Sequence, residues 1–304
     1  MNTDTLITSG KNALIEFMRF LFALWVLYFH SYVPFKNDRF SGGDLAVEFF
    51  FVLTGFFLIR SMKKYISLPL KEGLKAFLLH RFKAIAVPFL ISEVFVLIYS
   101  LGFDFSINFL FGYMWYIRDL FIAVTLFFLL RKYIKKDILF YSLIAAASAA
   151  VLILRWPGGG FRSIAMMPLG ILACAIPPVK IKKAGITHEK GSSLLNLLCF
   201  LPVALCGLYV ISKSEKSNAE IYLLAVLIYP ALLYFANGVK FSNSFLNWLG
   251  SLSFPIYAFQ CILRVIEAAG LTDGALLFII LTVLVLTFSL WENLRAKRRK
   301  KAQN

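Results

Sequence analysis

The chain is short of acid, of histidine and of charge altogether. Of its 304 residues 16 are Asp or Glu and 3 are His, against 32 Lys and Arg, and charged residues make up 16%. Ordinary soluble domains carry about 25%, so there is too little charge to clothe a globular protein of this length in water. Cysteine is scarce too: Cys174, Cys199, Cys206 and Cys261 show no Cys-x-x-Cys spacing and lie in apolar context. They read as small hydrophobes, with neither a metal site nor a disulfide expected. No long polar stretch leaves room for a separate soluble domain, and no internal repeat points to a solenoid. The opening MNTDTLITSGK is too polar for a cleaved signal peptide.

What the chain has is hydrocarbon. Hydrophobic residues make up 60%, with 32 Phe among them, and the mean hydropathy is strongly positive. This composition belongs to a polytopic membrane protein of the all-α class. Ten charge-poor runs are long enough to span a bilayer, at about 13–34, 45–62, 84–101, 109–131, 138–155, 163–179, 194–212, 219–237, 245–266 and 275–291. Most Lys and Arg fall at the termini and in alternate loops, so both termini are predicted to be cytoplasmic, which an even number of spans requires. Residues 1–304 then form one membrane domain, with 1–12 a cytoplasmic N-terminus and 292–304 a basic cytoplasmic tail. The net charge of +16 lines one side of the membrane, without a compact basic domain, so nucleic acid is not the expected partner. The tail LRAKRRKKAQN is suited to rest on anionic inner-leaflet lipid.

The first span, EFMRFLFALWVLYFH from Glu16 to His30, carries residues that are costly in a bilayer and usually functional there. Arg19 and His30 are eleven residues apart, which puts them within about 20° on one helical stripe and roughly 16 Å apart in height. Glu16 lies one turn below Arg19 on the same side. By depth, a polar chamber is expected around His30, Glu48, Arg118, Asp119 and Gln260, with Glu48 entering near the level of His30. Arg60, Lys63, Lys64, Arg81 and Lys83 form a cationic mouth on the cytoplasmic side, suited to polyphosphate.

These residues stand in an order that resembles the bacterial acyltransferase-three family, integral-membrane enzymes that O-acylate surface glycans and other hydroxyl acceptors. Arg19 and His30 resemble its Arg-x10-His signature. GGDLAVEFFFVLTGFFLIR is similar to its Gly-Val-acid-x-Phe-Phe-x-x-Ser-Gly-Phe segment, with Glu48 at the acidic position and Thr54 in place of Ser before Gly55. HRFKAIAVPF resembles the Arg-rich run ending in proline, here Arg81, Lys83 and Pro88. MWYIRDL resembles the Trp-Tyr/Phe-Leu segment at Trp115, and LGSLSFPIYAFQ the late Ser-x-x-x-Tyr-x-x-His motif at Ser253 and Tyr257. That last motif often ends in histidine, where this chain has Gln260, which cannot exchange a proton near neutral pH. The resemblance implies acetyl-CoA or another acyl-CoA as co-substrate, no tightly bound cofactor, and a glycan or lipid-linked saccharide as acceptor at the plasma or inner membrane.

Acyl transfer along this lane is chemically sensible. His30 has an unperturbed pKa near 6.5 and suits a base that takes a proton from an alcohol, or an imidazole that is itself acylated and passes the group on. Arg19 stays protonated, so it is assigned to a phosphate or to the donor's thioester arm, with Arg81 and Lys83 also on the donor. Arg118 is a candidate for the developing oxyanion, with Asp119 fixing it or touching the acceptor. Glu48 tunes His30, while Trp115, Tyr257 and Gln260 support the acceptor. Each has a structural rival: Arg19 pairing with Glu16, Asp119 pairing between helices, Glu48 solvated near an interface, Tyr113, Tyr116 and Tyr257 packing or lining the aromatic belt. Arg118 and Asp119 are neighbours in sequence and are not expected to face each other. His80 and His188 carry no assigned chemistry. A transporter or exporter with a polar lane is the alternative function, and it would more often show broken helices or repeated halves. A purely structural scaffold leaves Arg19 and His30 unexplained.

Overall fold

The computed structural model describes residues 12–30, 43–83, 115–154, 162–183, 186–187, 189–212 and 218–268, with short pieces between 90 and 97 and between 279 and 290. Among these the chain is helical almost throughout. In order the elements are α1 (Ala13–His30), α2 (Gly43–Ile66), α3 (Leu70–Arg81), α4 (Trp115–Tyr133), α5 (Asp137–Leu154) and α6 (Arg162–Ala175). Then come β1 (Lys182–Lys183), β2 (Ile186–Thr187), α7 (Glu189–Ser212), α8 (Asn218–Gly238) and α9 (Ser244–Ala268). The two strands form a minimal antiparallel ladder between α6 and α7. Eight helices coincide with predicted spans. The ninth, α3, was not expected as an element: it lies in the stretch read as a cytoplasmic loop. The third predicted span and the basic tail fall largely or wholly outside the described residues, and only pieces of the tenth are described.

Two described helices, Leu45–Ile66 and Glu189–Tyr209, are long and apolar enough to cross a membrane. Asp137–Ala150, Ser163–Ala175 and Ala225–Gly238 are shorter apolar stretches. The two long ones sit differently. Most of Leu45–Ile66 is buried in the bundle, whereas Glu189–Tyr209 turns Leu194, Leu198, Leu201, Leu205 and Leu208 outward. Such an exposed leucine stripe is costly in water and costless against lipid. Pro168, Pro202, Pro230 and Pro255 each lie inside a continuous helix. Proline is tolerated in membrane helices because neighbouring groups take up the freed carbonyls.

α2 is the centre of the bundle, touching α1, α3, α4, α6 and α8. It packs most extensively on α6 because glycines let the backbones meet. A β-carbon at Gly55 would stand 2.0 Å from the Met167 carbonyl oxygen, and one at Gly170 would stand 1.8 Å from that of Val52. Small residues at a crossing are how membrane helices gain close van der Waals contact without a hydrophobic drive.

α1 finds its main partner in α9, and its start is fixed by Asn12. The Asn12 side-chain oxygen accepts the backbone N–H groups of Leu14 and Ile15, at 3.0 and 3.2 Å, a standard helix N-cap. Its amide nitrogen donates to the carbonyls of Ala236 and Val239, at 2.8 and 3.0 Å. One side chain thus satisfies orphan groups at the beginning of α1 and at the end of α8. Asn243 caps α9 by accepting the N–H of Leu246 at 3.0 Å. Deeper in, Phe22 of α1 stacks on Phe49 of α2 at 3.9 Å, with Tyr229 of α8 edge-on to both, and the Tyr229 hydroxyl donates to the Leu45 carbonyl at 2.9 Å. These rings lock α1, α2 and α8 at one level.

Candidate functional site

On α1, Arg19 donates to both carboxylate oxygens of Glu16, at 3.1 and 2.9 Å. The spacing of three residues makes this possible, since i and i+3 are neighbours on a helix. Glu16 is buried and Arg19 half-buried. The structural pairing weighed for these residues is therefore present, and it leaves part of the guanidinium uncovered. α9 makes room for the acid: a β-carbon at Gly250 would stand 2.3 Å from a Glu16 carboxylate oxygen.

Opposite lies Glu48, fully buried on α2. The Phe22–Phe49 stack sets its level, close to that of Phe22 on α1. At 1.5 Å per residue His30 is about 10 Å further along. This corrects the expectation that Glu48 enters at the height of His30. Each helix's periodicity is written in its own residues, whereas the axial offset between two helices is decided by which side chains interdigitate.

Six residues along α2 from Glu48, about 9 Å further down the helix, is Thr54, whose hydroxyl donates to the Phe50 carbonyl at 2.8 Å. Tyr116 of α4 hydrogen-bonds that same hydroxyl and lies within electrostatic reach of Arg19 and Glu48. With the threonine hydrogen committed to Phe50, Tyr116 is the donor and Thr54 Oγ1 the acceptor. The Tyr116 ring packs on Phe51 at 4.8 Å and on Tyr257 of α9 at 5.0 Å, and Tyr257 also meets Phe50 at 6.0 Å. Four helices thus bring Arg19, Glu48, Thr54, Tyr116 and Tyr257 around one buried polar spot.

Tyr116 is the member that sequence alone offers only as a packing or belt aromatic. Its signal was slight: a hydroxyl-bearing ring on the helix that carries the Trp115 motif, with Thr54 as its complement in another motif. Ser253, from the Tyr257 motif, is buried but turns its hydroxyl back onto the Gly250 carbonyl, at 2.7 Å.

Arg118 and Asp119 do contact each other, Nε to Oδ1 at 3.1 Å, contrary to the expectation from their adjacency. The reach of the arginine stem overcomes the unfavourable angle, and the pair forms within α4. Asp119 is buried, and its backbone carbonyl accepts from Ser163 of α6 at 3.0 Å. The Arg118 side chain is 68% exposed. It sits two residues, about 200° around the helix, from Tyr116 and so points away from the buried cluster.

At the other end of α2 stand the cations. Arg60, Lys63, Lys64 and Lys83 are exposed, and Arg81 is half-buried. The Arg81 guanidinium donates to the Ser61 hydroxyl at 2.5 Å and lies 5.6 Å from the centre of the Phe77 ring. Burial pulls its pKa down, with Tyr65 opposing. His80, beside it, is lowered by burial and then by the positive charges of Lys64 and Arg81.

His30 closes α1 as its last residue, and Trp115 opens α4. Their side chains, and that of Gln260 in α9, lie outside the described residues, as do Tyr113 and His188. Cys174, Cys199 and Cys206 are free, and among the described residues no three His, Cys, Asp or Glu side chains gather into a metal-binding group.

A family model described as an acyltransferase domain matches residues 12–291. No curated protein and no solved structure matches the chain.

Proposed function

The chain belongs to that acyltransferase family, and from this premise we propose that it moves an acyl group, acetyl from acetyl-CoA, to a hydroxyl of an envelope glycan or lipid-linked saccharide at the plasma or inner membrane. The observation that carries the reading is the convergence of Arg19, Glu48, Thr54 and Tyr116 inside the bundle. A half-buried cation within the bundle is costly unless it serves a charge or a dipole, and Arg19 keeps donor capacity beyond its pair with Glu16.

In this reading the donor enters from the cytoplasm, its phosphates meeting Arg60, Lys63, Lys64, Arg81 and Lys83 and its thioester arm reaching towards Arg19. His30, further along the stripe, takes the proton of the acceptor hydroxyl or carries the acyl group between the two substrates. Glu48 lines the lane between the donor arm at Arg19 and His30, about 10 Å short of the imidazole's level. Tyr257 and Trp115 wall the acceptor side. Arg118, fixed by Asp119, is an acceptor contact outside the buried cluster, and Gln260 is a hydrogen-bonding one. No step requires a metal or a bound cofactor.

The test uses membranes containing the wild-type chain or His30→Ala, given acetyl-CoA labelled in the acyl group together with envelope glycans. Alkali-labile label in the glycan with wild type, lost with His30→Ala while the protein still accumulates, supports the proposal. Full transfer by His30→Ala removes its centre. No label with either chain, and no shift in thermal unfolding on adding CoA, returns the transporter reading.

A further inference from the structure

We propose that α3 is an interfacial anchor that lies on the membrane surface at the C-terminal end of α2 and binds the headgroups of anionic phospholipid. Only Ser67, Leu68 and Pro69 separate the membrane-crossing α2 from α3, so an extended link of this length keeps the start of α3 within roughly 13 Å of the membrane boundary.

One face of α3 is tied to the bundle. Phe77 is fully buried and stacks on Phe128 of α4 at 5.0 Å. Lys132 of α4 donates to the carbonyls of Ile66 and Leu68, at 2.6 and 2.5 Å, and so clamps the turn between α2 and α3.

The opposite face is where the helix departs from a soluble pattern. Lys71, Glu72, Lys75, Leu79 and Phe82 are all exposed, and at about 100° per residue they fall within a single stripe roughly 100° wide. The exposed Leu68 precedes them in the link, and the Phe82 ring also touches Phe121 of α4 at 6.2 Å. The stripe's two large apolar side chains, Leu79 and Phe82, are 46 and 44% exposed, and Leu68 in the link is 39% exposed. One such residue on a surface is ordinary, but two on a stripe with lysines and a third in the link leading to it are the pattern of a helix lying in a headgroup layer. There Leu and Phe enter the acyl boundary, and the lysine stems run alongside with their ammonium groups at the phosphates.

Charge chooses the occupant. Two lysines face one acid, so a second copy of this chain would bring like charge against like, whereas an anionic lipid surface is complementary. The proposal rests on membrane insertion of α2 and not on which acyl group or acceptor is used.

The full-length chain carrying benzoylphenylalanine in place of Leu79 is placed in nanodiscs of phosphatidylcholine mixed with phosphatidylglycerol, irradiated at low salt, and its adducts are weighed. The expected result is phospholipid adducts in which phosphatidylglycerol exceeds its share of the lipid by about fivefold per lysine. That excess should collapse when Lys71→Gln and Lys75→Gln are added. The same probe at Leu205, on the outward stripe of α7, gives lipid adducts with no such preference. Adducts to a second copy, no lipid adduct at Leu79 while Leu205 gives one, or a lipid ratio that the two lysine changes leave unmoved would each overturn the proposal. The readout is a mass and requires no acyl transfer, so failure of the proposed reaction leaves it intact.

Discussion

Gly250 of α9 is a glycine on account of Glu16 of α1: a β-carbon there would stand 2.3 Å from the carboxylate, 2.5 Å from Glu16 Cβ and 2.8 Å from its carbonyl oxygen. Backbone and side chain are both in the way, so no rotamer change relieves the clash. Gly250→Ala is expected to destabilise the protein by about 1–3 kcal/mol, the usual range for overpacking, and to loosen Arg19 by shifting its partner. Thermal unfolding in detergent, together with donor affinity, checks both parts. An unchanged midpoint would show that α1 and α9 separate freely.

Arg19 and Glu16 can be told apart by their variants. Arg19→Ala removes the charge offered to the donor and should raise the apparent KM for acetyl-CoA about tenfold or more, the worth of a hydrogen bond to a charged group. Glu16→Gln removes the pair but keeps the guanidinium, so it should cost stability more than donor affinity. An unchanged KM in Arg19→Ala would assign the arginine wholly to structure.

The hydroxyl of Tyr116 is separable from its ring. Tyr116→Phe keeps the packing on Phe51 and Tyr257 but withdraws the donor from Thr54. A drop in kcat of about tenfold, with little change in unfolding temperature, is the expected result for one lost hydrogen bond in the site. Thr54→Ser, which preserves the acceptor, should retain activity, and Thr54→Val should reproduce Tyr116→Phe. Equal rates across the set would place the pair outside the reaction.

At the crossing of α2 and α6, Gly55→Ala and Gly170→Ala should each sharply reduce the amount of folded protein, because both added methyls meet backbone rather than a yielding side chain. Once one has pushed the helices apart the second meets less resistance, so the double variant should be less damaged than the sum of the singles. Strict additivity in a chemical unfolding series would mean that the two contacts are independent.

His80 gives a pH signature. Its lowered pKa means that the folded chain holds fewer protons than the unfolded chain as the pH falls through the ordinary histidine range, so acid favours unfolding there. His80→Asn should flatten that slope. Lys64→Gln, which removes one of the positive neighbours, should raise the His80 titration midpoint followed by NMR. A midpoint unmoved by Lys64→Gln would show that the Lys64 charge does not reach His80, leaving burial and Arg81 as the causes.

The helices were readable because each is an apolar run bounded by polar residues, and the starts at Ala13, Asp137, Arg162, Asn218 and Ser244 lie within a residue or so of the predicted ones. α3 was not, because its half-polar surface suits an interface and no hydropathy window detects that. Arg19 stands out in the sequence as a costly residue in hydrocarbon and Glu48 by its place in a motif, but the bond between Tyr116 and Thr54 depends on how α4 leans on α2. Gly250 carries no sign of its purpose until Glu16 is seen against it.

Asn12 reaches the Ala236 carbonyl across 224 residues of sequence, and α1 has its largest interface with the late helix α9. At common translation speeds of about 5–20 residues per second, the first helix waits roughly 10 to 45 s for these partners to be synthesised. During that interval Arg19 has none of the surface that will enclose it. Because Glu16 belongs to the same helix and is three residues away, α1 carries its own counter-ion from the moment it forms, and the arginine is paired before any of its late partners has been made.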